Sequence, residues 1–209
     1  METKRVRVIG AGLAGSEAAL QLASFGFDVD LYEMRPEKPT PAHRGGALAQ
    51  LVCSNSFKGL ALTSAHGLLK NELNMLGSFL LKAAERTAVP AGESLTVNRD
   101  LFSEEVERLI LACPNITLHR EEVKTLEGEF PTIVAAGPLA SDTLADDIFK
   151  RLGSERLHFF DAIAPVVETE SIDFEHAFYK NRWEKGETED FINCPLDKET
   201  YDLFVQKLR

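Results

Sequence analysis

The segment from Val6 to Glu33 reads VRVIGAGLAGSEAALQLASFGFDVDLYE. It parses as a strand, a Gly-x-Gly-x-x-Gly turn, a helix and a second strand ending in an acid. Val6, Val8 and Ile9 suit a parallel strand covered on both faces. Gly10 permits the tight turn, Gly12 lets the backbone approach a pyrophosphate, and Gly15 lets the helix pack closely on the strand. Ala11, Leu13 and Ala14 complete the turn, whose unpaired N–H groups and positive helix end favour phosphate. Leu20, Leu22, Ala23 and Phe25 give the helix an apolar side, and Gly26 is its expected stop. Glu33 lies 18 residues beyond Gly15, where a carboxylate accepts hydrogen bonds from a ribose hydroxyl pair. The pattern predicts dinucleotide binding; the alternative is a Gly-rich turn in an α/β domain that binds no nucleotide.

Outward from this segment, the chain has 209 residues, 44% hydrophobic and 27% charged, an ordinary globular composition. That length allows one large domain, or one domain and part of another. No apolar run approaches the roughly 20 residues that span a bilayer, so no membrane partner is expected. The first strand begins at once, without a secretory leader. Cys53, Cys113 and Cys194 are odd in number and have no CxxC spacing, which argues against a disulfide framework or a metal site and fits a reducing cytoplasm. A net charge of −10 disfavours polyanions in general, DNA included, so an RNA partner needs a local basic patch.

From Met34 to Gly59 the chain runs through MRPEKPTPAHRGGALAQLVCSNSFKG, a long loop of the kind that usually carries function. Helical spacing predicts one helix over about 67–88, with Leu68, Leu69, Leu73, Leu76, Leu80 and Leu81 in the core. A strand over Ser94–Val97, an Asn98 cap and a helix to about Cys113 follow, with Leu101, Phe102, Val106, Leu109 and Ile110 facing the core. Glu104, Glu105 and Glu107 read as a solvated face. Ile116–Leu118 forms a strand, and a hairpin-like turn falls near Gly128. Thr132–Gly137, TIVAAG, is a buried strand, and Ser141 caps a helix to Leu152. A βαβ start, a long excursion and a late strand ending Ala-Ala-Gly fit FAD binders better than NAD dehydrogenases. Gly137 then lets the backbone pass close to the cofactor. The expected fold is α/β: a Rossmann-like FAD domain with a parallel sheet over 1–158, its closing segment missing, and the start of an inserted substrate domain over 159–209.

Further motifs narrow this. YEMRP at Tyr32–Pro36, TPAH at Thr40–His43, LVCSNS at Leu51–Ser56, GLLKNE at Gly67–Glu72 and VPAG at Val89–Gly92 follow GAGLAGSEAA at Gly10–Ala19. AAGPL at Ala135–Leu139, ESID at Glu170–Asp173 and NCP at Asn193–Pro195 complete the series. With these segments the chain resembles the N-terminal half of the folate- and FAD-dependent tRNA uracil-5-methyltransferases. Some relatives of that family act on ribosomal RNA.

The resemblance implies transfer of a one-carbon unit from 5,10-methylenetetrahydrofolate to carbon 5 of a T-loop uridine in tRNA, with FAD as carrier and reductant and NAD(P)H as electron source. Thiolate addition to uracil makes that carbon nucleophilic, and the base must leave its stack to react. It further implies that Gly10, Gly12 and Gly15 hold the pyrophosphate, Glu33 the ribose and Val123 the adenine side, with Cys53 beside the flavin. The uracil-attacking cysteine is expected beyond Arg209, in a chain about twice as long.

Plainer readings stand beside these. Cys53 also suits a small buried hydrophobe, Cys113 a helix end and Cys194 a structural position. His43 is either a loop residue or a folate or flavin contact. Arg44 is either solvated or paired with a folate carboxylate, and Arg99 is a first-turn residue or an anion cap. Lys180, Arg182, Trp183 and Lys185 form either a solvated hairpin or an RNA contact. Ser54, Asn55 and Ser56 offer donors to a flavin edge or substrate carbonyl. A small-molecule flavin oxidoreductase and a non-catalytic flavin- or RNA-binding module are the competing functions.

Overall fold

A computed structural model describes residues 4–153, 167–181 and 189–208. Four parallel strands form the main sheet in the order β6-β2-β1-β7: β1 (Arg5–Ile9), β2 (Asp28–Tyr32), β6 (Ile116–His119) and β7 (Thr132–Val134). β1 lies between β2 and β7, with Val8 opposite Leu31 on one side and Ile133 on the other. This interior position explains the apolar run, because Val6, Val8 and Ile9 are all buried. α1 (Leu13–Ser24) crosses from β1 to β2 and ends at Phe25, with Gly26 at φ +79°. Phe25 is the cap, not part of the apolar side, and is 75% exposed.

The predicted helix over 67–88 is two helices, α2 (Ala65–Met75) and α3 (Phe79–Arg86). Gly77 breaks them in a left-handed conformation at φ +82°, open to glycine at little cost, and Ser78 then caps α3 by accepting from the Leu81 N–H. The break divides the leucines. Leu80 and Leu81 are buried, while Leu68, Leu69, Leu73 and Leu76 are 38–76% exposed. A continuous helical period overestimates the core here because the second helix takes a new direction.

The new direction is fixed by a carboxylate. Glu17 on α1 accepts from the N–H groups of Phe79 and Leu80 at 3.1 and 2.8 Å and from the Ser78 hydroxyl at 3.1 Å. A negative side chain thus satisfies orphan donors at a helix N-terminus. β3 (Ser56–Gly59), β4 (Ala88–Val89) and β5 (Ser94–Val97) form a second, antiparallel sheet in the order β3-β5-β4. Asn98 caps α4 (Arg99–Leu111) as the sequence predicts, accepting from Asp100 and Leu101. Phe102, Val106 and Ile110 are fully buried, Leu109 is half-buried against them, and Leu101 lies outside at 51% exposure. Together with Val8, Leu20, Leu31, Leu80 and Leu81 they make one continuous core.

The acidic run on α4 is not merely solvated. Glu105 joins Arg86 and Arg108, each at 2.7 Å, and Glu107 joins Arg120 at 2.7 Å. Hydrogen bonds from Arg108 and then Arg86 hold the Glu105 carboxyl down at about 2. Near Gly128 no strand pairing forms; Arg7 instead donates to the carbonyls of Leu126 and Glu127. β7 is shorter than expected and only partly covered, with Ile133 and Val134 at 38% and 43% exposure, because among the described residues it pairs with β1 and no other strand.

α5 (Asp142–Leu152) starts at its Ser141 cap. After a 3-10 turn (Thr169–Ser171), β8 (Phe178–Tyr179) and β9 (Ile192–Asn193) form an antiparallel pair, followed by α6 (Lys198–Leu208). The expected boundary at 158/159 and the residues Arg182, Trp183 and Lys185 lie outside the described residues. Among the described residues no helix is long and apolar enough to cross a membrane, and no cluster of His, Cys, Asp and Glu has metal-ligand geometry.

Two outcomes test this packing. Glu17→Ala should lower the unfolding free energy by about 2 kcal/mol, since it strands donors at the start of α3; urea titration showing no loss would remove the staple. The Glu105 pairs should contribute stability above its ordinary value of 4.5 that is lost as pH falls toward about 2, because the folded pKa lies below the unfolded one. Glu105→Gln should flatten that part of the acid-stability profile.

Candidate functional site: a cleft over the glycine turn

A cavity of about 350 Å³ opens at the carboxyl ends of β1, β2 and β7, where open parallel sheets bind ligands. Its floor is the turn Gly10, Gly12, Leu13 and Ala14, and its far side is Ala135, Ala136 and Gly137. Each fingerprint glycine has a distinct job. Gly10 sits at φ +98°, and a Cβ there would lie 2.6 Å from the Ala135 carbonyl oxygen. A Cβ on Gly15 would lie 1.7 Å from the Gly10 carbonyl oxygen, so α1 starts almost in contact with the turn. A Cβ on Gly12 would meet nothing within 4 Å. Gly12 therefore leaves space for a ligand, whereas Gly10 and Gly15 leave space for the protein.

The long excursion after β2 returns over this turn. Ala49 N–H donates to the Ala11 carbonyl at 2.9 Å, and Ala11 is itself wholly buried. Thr40, His43, Gln50 and Val52 thereby become part of the cleft wall. Thr40 Oγ1 lies 2.6 Å from His43 Nδ1 and accepts from the His43 backbone N–H. Gln50 closes the loop through two 2.8 Å bonds to the Arg44 backbone. The loop is also held from below: Arg120 donates to the carbonyls of Arg35 and Gly46, and Lys38 pairs with Glu122 at 2.6 Å. The Lys38 hydrogen bond, then that of Ser141, holds the Glu122 carboxyl below its ordinary range. Val123, next in the chain, also lines the cleft.

Glu33 is where geometry and expectation part. It is 5% exposed, and both of its oxygens are occupied. Oε1 accepts from Arg35 N and Nε at 3.0 and 2.9 Å; Oε2 accepts from Arg35 Nη2 and Ala11 N at 3.1 and 3.2 Å. Burial pushes the Glu33 carboxyl up, but the Arg35 hydrogen bonds and charge and the Ala11 N–H outweigh it and hold the group below its ordinary value. Arg35, to which the sequence analysis gives no role, lines the cleft and holds Glu33 there. The signal was present as a base two positions after the fingerprint acid in YEMRP.

Other expected residues are sorted by position. Cys53 is exposed beside the cleft residue Val52 and takes no part in the core of the described residues. Asn55 spends its amide on the Val97 carbonyl at 2.9 Å, while Ser54 and Ser56 accept from the backbone N–H groups of Ser56 and Lys58. These side chains shape the loop. Cys113 is partly buried against the core, and Cys194 is exposed. Arg44 is exposed and Arg99 half-buried, and neither lines the cleft.

A parallel sheet, a glycine turn at the start of α1 and a cleft across the carboxyl ends of the strands define an α/β protein of the Rossmann-like class. The chain belongs to the Glucose inhibited division protein A family, whose model matches residues 5–209. It is 50% identical over 205 residues to a methylenetetrahydrofolate–tRNA-(uracil-5-)-methyltransferase TrmFO of Lactobacillus helveticus, covering 98% of this chain and 50% of the relative. It is 49% identical to the protein of the same name from Dictyoglomus turgidum, covering 98% and 46%. The chain spans about half the length of the curated relatives it matches. Among solved structures, GidA of Aquifex aeolicus is similar at 22% identity and a TM-score of 0.48, over 60% of this chain and 20% of that one.

The division of labour among the glycines is testable. Gly15→Ala should lower the melting temperature by roughly 5–10 °C through overpacking. Gly12→Val should leave it nearly unchanged yet abolish ADP binding measured by calorimetry. Equal effects of the two changes would refute the assignment.

Proposed function

We propose that this chain forms the FAD-holding part of an enzyme that moves a one-carbon unit from 5,10-methylenetetrahydrofolate to carbon 5 of a T-loop uridine in tRNA, with NAD(P)H supplying electrons. The observation that carries the reading is the cleft itself. Its glycine floor, a loop ending in an exposed Cys53 and a sequence half identical to proteins named for that reaction occur together.

The residues present fit the cofactor. Gly12 leaves open space at the N-terminus of α1, where backbone N–H groups favour a pyrophosphate. Gly10, Ala11, Leu13, Ala14 and Gly15 set the shape of that turn, Val123 borders the adenine end, and Gly137, at φ +66°, shapes the opposite wall. FAD bound there supplies the redox chemistry and carries the carbon. The protein's part at this site is to bind, to orient and to present Cys53 at the mouth. Exposure of Cys53 next to the cleft residue Val52 supports a role for its thiol toward the substrate, and the nucleophile that attacks uracil is assigned to the rest of the full-length protein. The segment from 159 onward is assigned to substrate contact, and the cytoplasm is the proposed setting.

The full-length protein, given methylenetetrahydrofolate, NADPH and unmodified tRNA, should form 5-methyluridine. Cys53→Ala should keep its flavin absorbance and lose at least about tenfold in rate, the scale of one displaced positioned group. A flavin-loaded protein making no product would sink the proposal, and rapid NADPH oxidation independent of RNA would favour a small-molecule oxidoreductase.

A further inference from the structure

Lys58 on β3 has its backbone at φ +66°, in the left-handed region that residues with a side chain rarely adopt. A glycine would hold this conformation without strain, yet the position carries a long charged side chain. The register of β3 against β5 shifts between Ser56 and Gly59, and an irregularity of this kind re-aims a side chain. Local bonds fix it. The Lys58 N–H donates to the Ser56 hydroxyl at 3.0 Å. The Lys70 ammonium on α2 donates to the Phe57 carbonyl at 2.7 Å and to the His66 carbonyl at 2.8 Å.

Lys70 is 7% exposed, and both of these acceptors are neutral. Burial, then the charge of Lys58, pushes the Lys70 ammonium down. Among the described residues no carboxylate forms an ion pair with either lysine. Two positive charges thus stand together without a counter-ion, in a chain whose net charge is −10. The outer one, Lys58, is exposed. A charge shielded from water is costly until an opposite charge meets it.

We propose that Lys58, aimed by the β3 irregularity and backed by Lys70, is a docking point for an RNA backbone phosphate beside Cys53. This rests on the tRNA-modifying reading above. Lys58 does not line the cleft, so its ligand lies outside the space that FAD and folate occupy in that reading. It follows Cys53 by five residues, a stretch that spans at most about 18 Å, or a few nucleotides of RNA. A base reaching toward Cys53 leaves its flanking phosphates outside the cleft, on the side where Lys58 is exposed. The point charge of a lysine suits a phosphate, and a contact of this kind positions the strand without reading its sequence.

The test measures the affinity of the full-length protein for unmodified tRNA across a salt series. Lys58→Gly removes the ammonium and suits the positive φ, so it should melt no lower than wild type. It should still bind tRNA about tenfold more weakly, the scale of one hydrogen bond between charged groups. The slope of log affinity against log salt should fall by about 0.7–0.9, the share of one phosphate. Lys58→Arg should restore both. The loss should be equal for a transcript with cytidine at the target position, and the KM for methylenetetrahydrofolate should not move. In wild-type protein, bound tRNA should protect Lys58 from an amine-acylating reagent, a readout that needs no variant. Unchanged tRNA affinity and salt slope in Lys58→Gly, or full Lys58 reactivity in the tRNA complex, would overturn the phosphate assignment and leave the tRNA reading intact. A raised folate KM with tRNA affinity unchanged would also overturn it, by giving Lys58 to a folate carboxylate. Wild-type protein that binds no tRNA would overturn both.

Discussion

The contact between the Cα of Gly15 and the carbonyl of Gly10 is the constraint from which the rest follows. With 1.7 Å between that oxygen and the position of an added Cβ, α1 can begin only one short turn beyond β1. That proximity sets the N-terminal end of α1 at the edge of the sheet and leaves the space over Gly12 open. The excursion after β2 then has a fixed object to cover, and it does so through the hydrogen bond from Ala49 to Ala11. The cleft is thus a by-product of helix–strand packing. Its polar walls come later in the chain and are anchored separately, by Arg120 below the loop and by Lys38 on Glu122.

The segment Val6–Glu33 was legible almost residue by residue because its signals are local. A buried parallel strand, glycine spacing and a helix stop each act within a few positions. The caps at Asn98 and Ser141 were legible for the same reason. The leucines of α2 were not. Helical period reports which residues share a face, but whether that face is covered depends on where the next helix goes. Gly77 and the Glu17 carboxylate turn α3 away, and no periodicity in 67–88 records a hydrogen bond made from residue 17. Leu101 and β7 failed similarly: an apolar residue at a helix start, or an apolar strand at a sheet edge, has the composition of core without its neighbours.

The site was legible in its glycines and less so in its charges. Gly10, Gly12, Val123 and Gly137 all line the cleft, since backbone geometry there is dictated by residue type. Glu33 was located correctly at the end of β2, but its partners lie on another element of the turn and two positions ahead. A fingerprint states where an acid stands and not which donors reach it first. The pairing with Arg35 is set by the loop's conformation, which Arg120 fixes from 85 residues away in sequence.

Glu17 and Glu33 both lie within the fingerprint segment, and both spend their oxygens on the protein itself. Each meets N–H groups that folding would otherwise leave unpaired: Glu17 those at the start of α3, Glu33 that of Ala11. A carboxylate so saturated, buried in the case of Glu33 and half-buried in the case of Glu17, is worth keeping mainly because losing one partner strands the other. That gives the two acids a common logic. They convert a glycine-rich turn, which has the greatest backbone freedom to lose on folding, into a fixed platform at the floor of the cleft. A ligand arriving there does not have to order the turn, and the entropy of ordering is charged to folding, not to binding.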